Sequence, residues 1–137
     1  MNTFKLKVIS SNRIFFDGEA QSIVVPHADM GFEGFLAHHE NCVLPIETGE
    51  MKITDADGKV IDAFVGNGFL EFLDNVATLV CISAELPEEI DERRAQEAKE
   101  RAEEELRNQH SQLEYYHSKA NLARAMERLK IKNRHHI

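Results

Sequence analysis

No stretch of this sequence approaches the roughly 20 consecutive apolar residues that a membrane-spanning helix needs, which excludes a helical span. Met1-Asn2-Thr3-Phe4-Lys5 lacks the pattern of a secretory signal, so the reading is of a soluble, intracellular chain. Cysteine is scarce. Cys42 and Cys81 stand far apart, without a CxxC spacing and each inside an apolar run, the usual setting of an inert buried thiol. Nothing in their placement asks for a disulfide. The motifs of common catalytic and phosphate-binding sites are missing too: there is no GxSxG, Walker A, HExxH or GxGxxG. Ser10, Ser11 and Ser22 have no evident base beside them, so an enzyme with its own active site is the weaker expectation. Finally, neither glycine nor proline occurs after Pro87, and that absence divides the chain.

What is present before Pro87 reads as short strands punctuated by turns. Phe4-Lys5-Leu6-Lys7-Val8 alternates apolar and polar residues, the mark of a half-buried strand. Ile14-Phe15-Phe16 and Ser22-Ile23-Val24-Val25 flank Asp17-Gly18, a tight-turn dipeptide. Asp57-Gly58, between Met51-Lys52-Ile53-Thr54 and Val60-Ile61-Asp62-Ala63, predicts a hairpin with a type I′ turn. Gly66-Asn67-Gly68 marks another sharp backbone feature, and Asp74-Asn75 turns Phe69–Leu73 into Val76–Ile82. Many short strands with regular turns argue an antiparallel β-sandwich or barrel over residues 1–86.

Residues 87–137 turn to Ala, Glu, Lys, Arg and Leu, and predict two helices. Pro87 suits a helix start, and Glu88, Glu89, Asp91 and Glu92 place negative charge where the helix dipole favours it. Ile90, Ala95, Ala98, Ala102 and Leu106 trace a narrow stripe on the first helix. Leu122, Ala125, Met126 and Leu129 trace one on the second. The polar run Asn108-Gln109-His110-Ser111 is the expected bend, which makes an antiparallel two-helix hairpin. Burying alanine yields little, because the gain scales with apolar area, so such a hairpin is weakly held.

Charge is unevenly spread. Residues 1–87 carry 13 acidic and 5 basic side chains, whereas residues 88–137 carry 11 of each. The whole chain, of 137 residues, has a net charge of −8, the opposite sign to a nucleic-acid binder. Among the cations, Arg93 and Arg94 sit near the wrong end of the helix dipole. With the bend near Asn108–Ser111, Arg94 falls level with Ala125, between turns carrying Arg124 and Arg128, and Arg101 lies about two turns closer to the bend. Four such guanidinium groups on one side suit polyphosphate, since their forks match phosphate oxygens. The alternative is that they pair with neighbouring glutamates on solvated faces. His27, His38 and His39 share a loop-rich stretch with Asp29, Glu33 and Glu40, but neighbouring His38 and His39 diverge if extended, which weakens a metal site there. No metal is expected. His135 and His136 lie at the end of the chain, where exposure is the default.

An ordered set of motifs carries a resemblance. Gly68-Phe69-Leu70-Glu71, Asn75-Val76-Ala77-Thr78-Leu79, Ala84-Glu85, Ile90-Asp91-Glu92-Arg93-Arg94-Ala95 and Arg124-Ala125-Met126-Glu127-Arg128-Leu129 together resemble the epsilon subunit of bacterial F-type ATP synthase, over essentially the whole chain. The resemblance implies a β-sandwich that grips the gamma subunit of the central stalk and rests on the membrane rotor ring of c subunits. It implies a helical domain that switches between a folded hairpin and an extended form, which meets the alpha and beta subunits and restrains ATP hydrolysis. It further implies a non-catalytic subunit, peripheral on the cytoplasmic face of the bacterial membrane.

Some members of that family bind ATP as a regulatory ligand through an Ile/Leu-Asp-x-x-Arg-Ala motif and further arginines. The matching positions here are Ile90, Asp91, Arg94, Ala95, Arg101, Arg124 and Arg128; no cofactor is required. Arg124, Arg128, Lys130 and Lys132 form the implied inhibitory basic face, and Glu33 and His39 fall in the implied rotor-facing loop. Three departures stand out. Glu33 replaces a leucine, Ala37-His38 replaces Pro-Gly, and Asn67 replaces the first glycine of a Gly-Gly pair. The rival from another class is a free-standing adaptor, with an acidic sandwich and a helical hairpin for a partner.

Overall fold

The computed structural model describes residues 2–29, 31–108 and 112–135. The chain divides into two compact units, Met1–Leu86 and Pro87–Ile137. In the first, nine strands follow in order: β1 (Phe4–Ile9), β2 (Ile14–His27), β3 (Gly31–Leu36), β4 (Cys42–Ile46), β5 (Gly49–Asp55), β6 (Val60–Val65), β7 (Gly68–Leu73), β8 (Val76–Cys81) and β9 (Ala84–Glu85). They pair in the order β1-β8-β7-β4-β2-β5-β6-β9, with β3 added to β2 and a further β1–β2 pairing. This is the β-sandwich that the strand and turn pattern predicts. All pairings are antiparallel except β1 with β8, where Leu6 stands opposite Ala77. That exception arises because β1 sits between two neighbours, antiparallel to β2 and parallel to β8.

Alternation builds the core. Phe4, Leu6 and Val8 point inward from β1, Met51 and Ile53 from β5, Leu70 and Phe72 from β7, and Ala77, Leu79 and Cys81 from β8. Period-2 burial of this kind needs one dry face and one wet face. Phe72 holds the centre, with its ring 5.4 Å from that of Phe4 and 5.9 Å from that of Phe35.

Three turn readings are corrected. Asp17-Gly18 is no turn: it lies inside the 14-residue β2, with Gly18 opposite Leu6 and Asp17 opposite Lys7. The flanking ladder with β1 overrides the local turn preference, and Gly18 is not at positive φ. The hairpin at Asp57-Gly58 exists, but its turn is not type I′. Gly58 alone has positive φ, 84°, and its N–H donates to Asp55 O at 3.1 Å, while Asp55 N–H donates to Lys59 O at 2.9 Å. This is the three-residue loop closed by a left-handed glycine, and the Asp55 carboxylate secures it by accepting from the N–H groups of Asp57 and Lys59. The two-residue turn with both φ values positive stands instead at Asp74 (48°) and Asn75 (64°), between β7 and β8, without any glycine. Nor does Asn67 use a left-handed backbone. The tight feature there is Gly68, where a Cβ would lie 2.0 Å from the Val80 carbonyl oxygen.

In the second unit a 3₁₀ turn (Pro87–Glu89) precedes α1 (Glu92–Arg107) and α2 (Gln112–Arg134). Pro87 therefore starts the short turn rather than the helix, and only Glu92 of the predicted acids occupies the first turn of α1. Ala95 and Ala102 are buried on α1, and Ser118, Ala125 and Ile131 on α2. Met126, expected on the apolar stripe, is 50% exposed. Ser118, which the predicted stripe leaves out, is buried, seven residues before Ala125. The predicted bend begins at Asn108, whose N–H reaches Glu104 O and Glu105 O. Gln109, His110 and Ser111, as well as His136, lie outside the described residues.

Candidate functional site

The stretch Ile90–Ala95 is built as a helix start. Asp91 is the N-cap of α1: its backbone is extended, and its Oδ1 accepts from the Arg94 N–H at 3.1 Å. Such a cap contributes about 1 kcal/mol. Ile90 and Ala95 occupy the two positions of a hydrophobic staple around that cap, and both are buried. Three of the six residues thus have local jobs in the fold. The Asp91 carboxylate, one of the positions that the resemblance assigns to ATP, is engaged with backbone. Arg94 is left exposed at the third helical position, where a capping box would carry Glu. Arg93 pairs with Glu97 at 3.1 Å, a solvated i, i+4 contact.

Two cross-links set the register of the hairpin. Lys132 Nζ donates to Pro87 O at 3.2 Å, and Ser118 Oγ donates to Glu105 Oε2 at 3.0 Å. The end of α2 therefore meets the start of α1, so the helices are antiparallel, and Arg94 falls level with the turn from Ala125 to Arg128. Arg94 and Arg101 are seven residues apart and lie within about 20° of each other around α1. Glu105 follows Arg101 by one turn on the same flank. On α2, His117, Asn121, Arg124 and Arg128 form the corresponding stripe.

The flanks meet near the bend, in an open cleft of about 580 Å³ lined by Arg101, Glu104, Glu105, Asn108, Glu114, His117 and Ser118. Three carboxylates against one guanidinium make that cleft hostile to phosphate. Arg94, Arg124 and Arg128 lie farther from the bend, where this acidic group does not reach. The Arg124 guanidinium donates to Asn121 Oδ1. Arg124 and Arg128 are half-buried, and Arg94 and Arg101 are exposed. Of the predicted basic face, Lys130 is exposed, whereas Lys132 is spent on the Pro87 carbonyl. The cleft and Ser118 were not anticipated; the heptad spacing of Ser118 to Ala125 is the one signal that marks them.

On the sandwich, Glu33 is half-buried in β3, beside exposed Phe32 and Leu36. His39 is a packing residue. Its ring lies 4.5 Å from that of Phe35 and 5.4 Å from that of Phe72, with Nδ1 2.8 Å from Glu40 O. Cys42 Sγ lies 4.0 Å from His39 Nδ1, and desolvation, followed by the charges of Glu40 and Glu33, raises its pKa. Burial likewise pushes the Cys81 thiol up to about 11. His27 Nδ1 accepts from the Asp29 N–H, and among the described residues no three His, Cys, Asp or Glu side chains gather in a metal-binding group. The outer face of β4, β7 and β8 exposes Val43, Phe69, Leu73, Val76 and Val80, an apolar surface that turn-and-strand reading had not marked.

The family described as ATP synthase, Delta/Epsilon chain, beta-sandwich domain matches residues 3–87, and its long alpha-helix domain matches residues 88–133. The ATP synthase epsilon chain of Ruminiclostridium cellulolyticum is 45% identical over 134 residues, covering 98% of each chain. That of Caldanaerobacter subterraneus is 41% identical, covering 97% of this chain and 96% of its own. A chain of the Euglena gracilis mitochondrial ATP synthase has the same fold, with a TM-score of 0.76 at 20% identity, over 91% of this chain and 78% of that one. With both units matched in order and nearly the full length shared, this chain belongs to the ATP synthase epsilon-chain family.

Proposed function

We propose that this chain is the coupling and regulatory subunit of a rotary ATP synthase, with no active site of its own. Its sandwich grips the gamma subunit and rests on the ring of c subunits, at the cytoplasmic face of the membrane. Its hairpin restrains ATP hydrolysis when it opens and reaches the alpha and beta subunits. The structural neighbours support the first part: one comes from a structure of OSCP, F1 and c-ring, and a second, with a TM-score of 0.64 and 12% identity, from a central stalk and c-ring of Tetrahymena thermophila.

The observation that carries the regulatory part is the make-up of the hairpin interface. Apart from Ile90 and Ile131, the buried side chains among the described residues of this unit are small: Ala95, Ala102, Ser118 and Ala125 bury little area, so the two helices separate at modest cost. ATP acts as the ligand that favours the folded hairpin, its phosphates held by Arg94, Arg124 and Arg128 on the same flanks but farther from the bend than the acidic cleft, with Arg101 at the margin. Binding to one state alone stabilises that state by mass action. A Walker lysine with its hydroxyl ligand for Mg²⁺ is missing from the sequence, so binding proceeds without hydrolysis.

Truncation after Leu86 tests the proposal. The remaining sandwich should assemble with the complex, and ATP hydrolysis should rise several-fold. Hydrolysis unchanged by removal of both helices would dismiss the inhibitory role.

A further inference from the structure

Asn67 stands directly before Gly68, exposed at the turn from β6 to β7. An asparagine followed by glycine is the dipeptide in which the next backbone nitrogen reaches the side-chain carbonyl carbon most easily, because no Cβ obstructs the approach. Here that glycine cannot be exchanged, since a Cβ at Gly68 would meet the Val80 carbonyl oxygen at 2.0 Å and the Cys81 Cα at 2.7 Å. A third feature is local to this fold. The Thr48 hydroxyl, itself half-buried, donates to Asn67 Oδ1. That oxygen is the atom on which negative charge develops when a nucleophile attacks the amide carbon.

We infer that Asn67 is a deamidation site in which Thr48 promotes the attack. Hydroxide removes the proton of the Gly68 backbone N–H, and the nitrogen forms a bond to Asn67 Cγ. The Thr48 hydroxyl donates to the oxyanion at Oδ1. The bond from Cγ to the side-chain nitrogen then breaks, the nitrogen takes a proton from water, and ammonia leaves. Water opens the resulting five-membered imide on either side, which yields aspartate or isoaspartate; nothing is oxidised or reduced.

The isoaspartate product carries an extra backbone carbon next to a residue with no room to shift. It disturbs the two bonds that straddle the site, Gly66 N–H to Ser83 O at 2.8 Å and Ile82 N–H to Asn67 O at 3.0 Å. These hold the last stretch of the sandwich before Pro87. Conversion at Asn67 therefore loosens the segment that leads into the helical unit.

The test is timed incubation of the folded full-length chain at mildly alkaline pH, followed by peptide mass analysis with isoaspartate detection. Conversion should appear at Asn67, accelerate with pH, and leave Asn41, Asn75 and Asn121 unchanged over the same period. Thr48→Val should slow it roughly threefold to tenfold, while Thr48→Ser, which keeps the hydroxyl, should match the parent. Amide hydrogen exchange at Ile82 and Ser83 should quicken in the converted protein. An intact Asn67 when other asparagines have converted would overturn the site. Equal or faster conversion in Thr48→Val, with Thr48→Ser unchanged, would overturn the role of the hydroxyl.

Discussion

The His38 N–H donates to Asn75 Oδ1 at 2.7 Å, and both residues hold left-handed backbone conformations, at φ 66° and 64°. His38 occupies the position where the family resemblance implies glycine, so an L-residue here bears the strain that glycine would not. His38→Gly should stabilise the sandwich by about 0.5–1 kcal/mol, the relief of strain being partly offset by the entropy of the unfolded glycine. Urea denaturation would measure it; a destabilised variant would show that the His38 side chain matters more than its backbone.

Asn75 is bound on three sides. Its Oδ1 accepts from His38, its Nδ2 donates to Thr3 O at 3.0 Å, and its carbonyl accepts from the Lys5 N–H at 3.2 Å. Asn75→Ala removes the two side-chain bonds and adds left-handed strain, for an expected loss of about 2–4 kcal/mol. Asn75→Gly should lose less, because the backbone strain vanishes. A thermal melt of the three proteins ranks them.

The Asp91 cap separates architecture from ligand binding. Asp91→Ala should cost about 1 kcal/mol of helix stability, whereas Asp91→Asn should restore most of it, since Asn caps nearly as well. Circular dichroism during thermal unfolding reads both. If Asp91→Asn keeps the helix but loses ATP, the carboxylate also meets the ligand.

ATP titration of the isolated chain tests the arginines. The Arg94→Ala, Arg124→Ala double variant should bind at least about tenfold more weakly, as loss of charge-assisted contacts to phosphate predicts. Equal uptake by both proteins would leave these side chains as solvated helix faces. Lys132 belongs in a separate experiment: Lys132→Met breaks its bond to Pro87 O, and should loosen the hairpin even without ATP.

Cys81 sets an alkaline limit. Burial raises its pKa from 9.0 to about 11, so the folded protein keeps a neutral thiol where the unfolded chain would ionise. The associated stability is complete below pH 9 and is lost as pH rises towards 11. Cys81→Ala should flatten that part of the stability profile.

Sequence pattern alone determined the strand-rich front, the helical rear, the division at Leu86–Pro87 and the family, because period-2 and helical periodicities and ordered motifs are local properties of the chain. It placed the hairpin at Asp57-Gly58 but misread its turn, and it took Asp17-Gly18 for a turn that pairing with β1 holds extended. Tertiary structure decided what local preference could not. His39 becomes a packing residue only when Phe35 and Phe72 surround it. Met126 is exposed and Ser118 buried, where the Ser118 hydroxyl meets Glu105 of the other helix, a pairing that periodicity within α2 does not reveal. The arginines align by periodicity, but the carboxylates that bar phosphate from the bend come from both helices, and only their packing brings Glu104, Glu105 and Glu114 to one cleft.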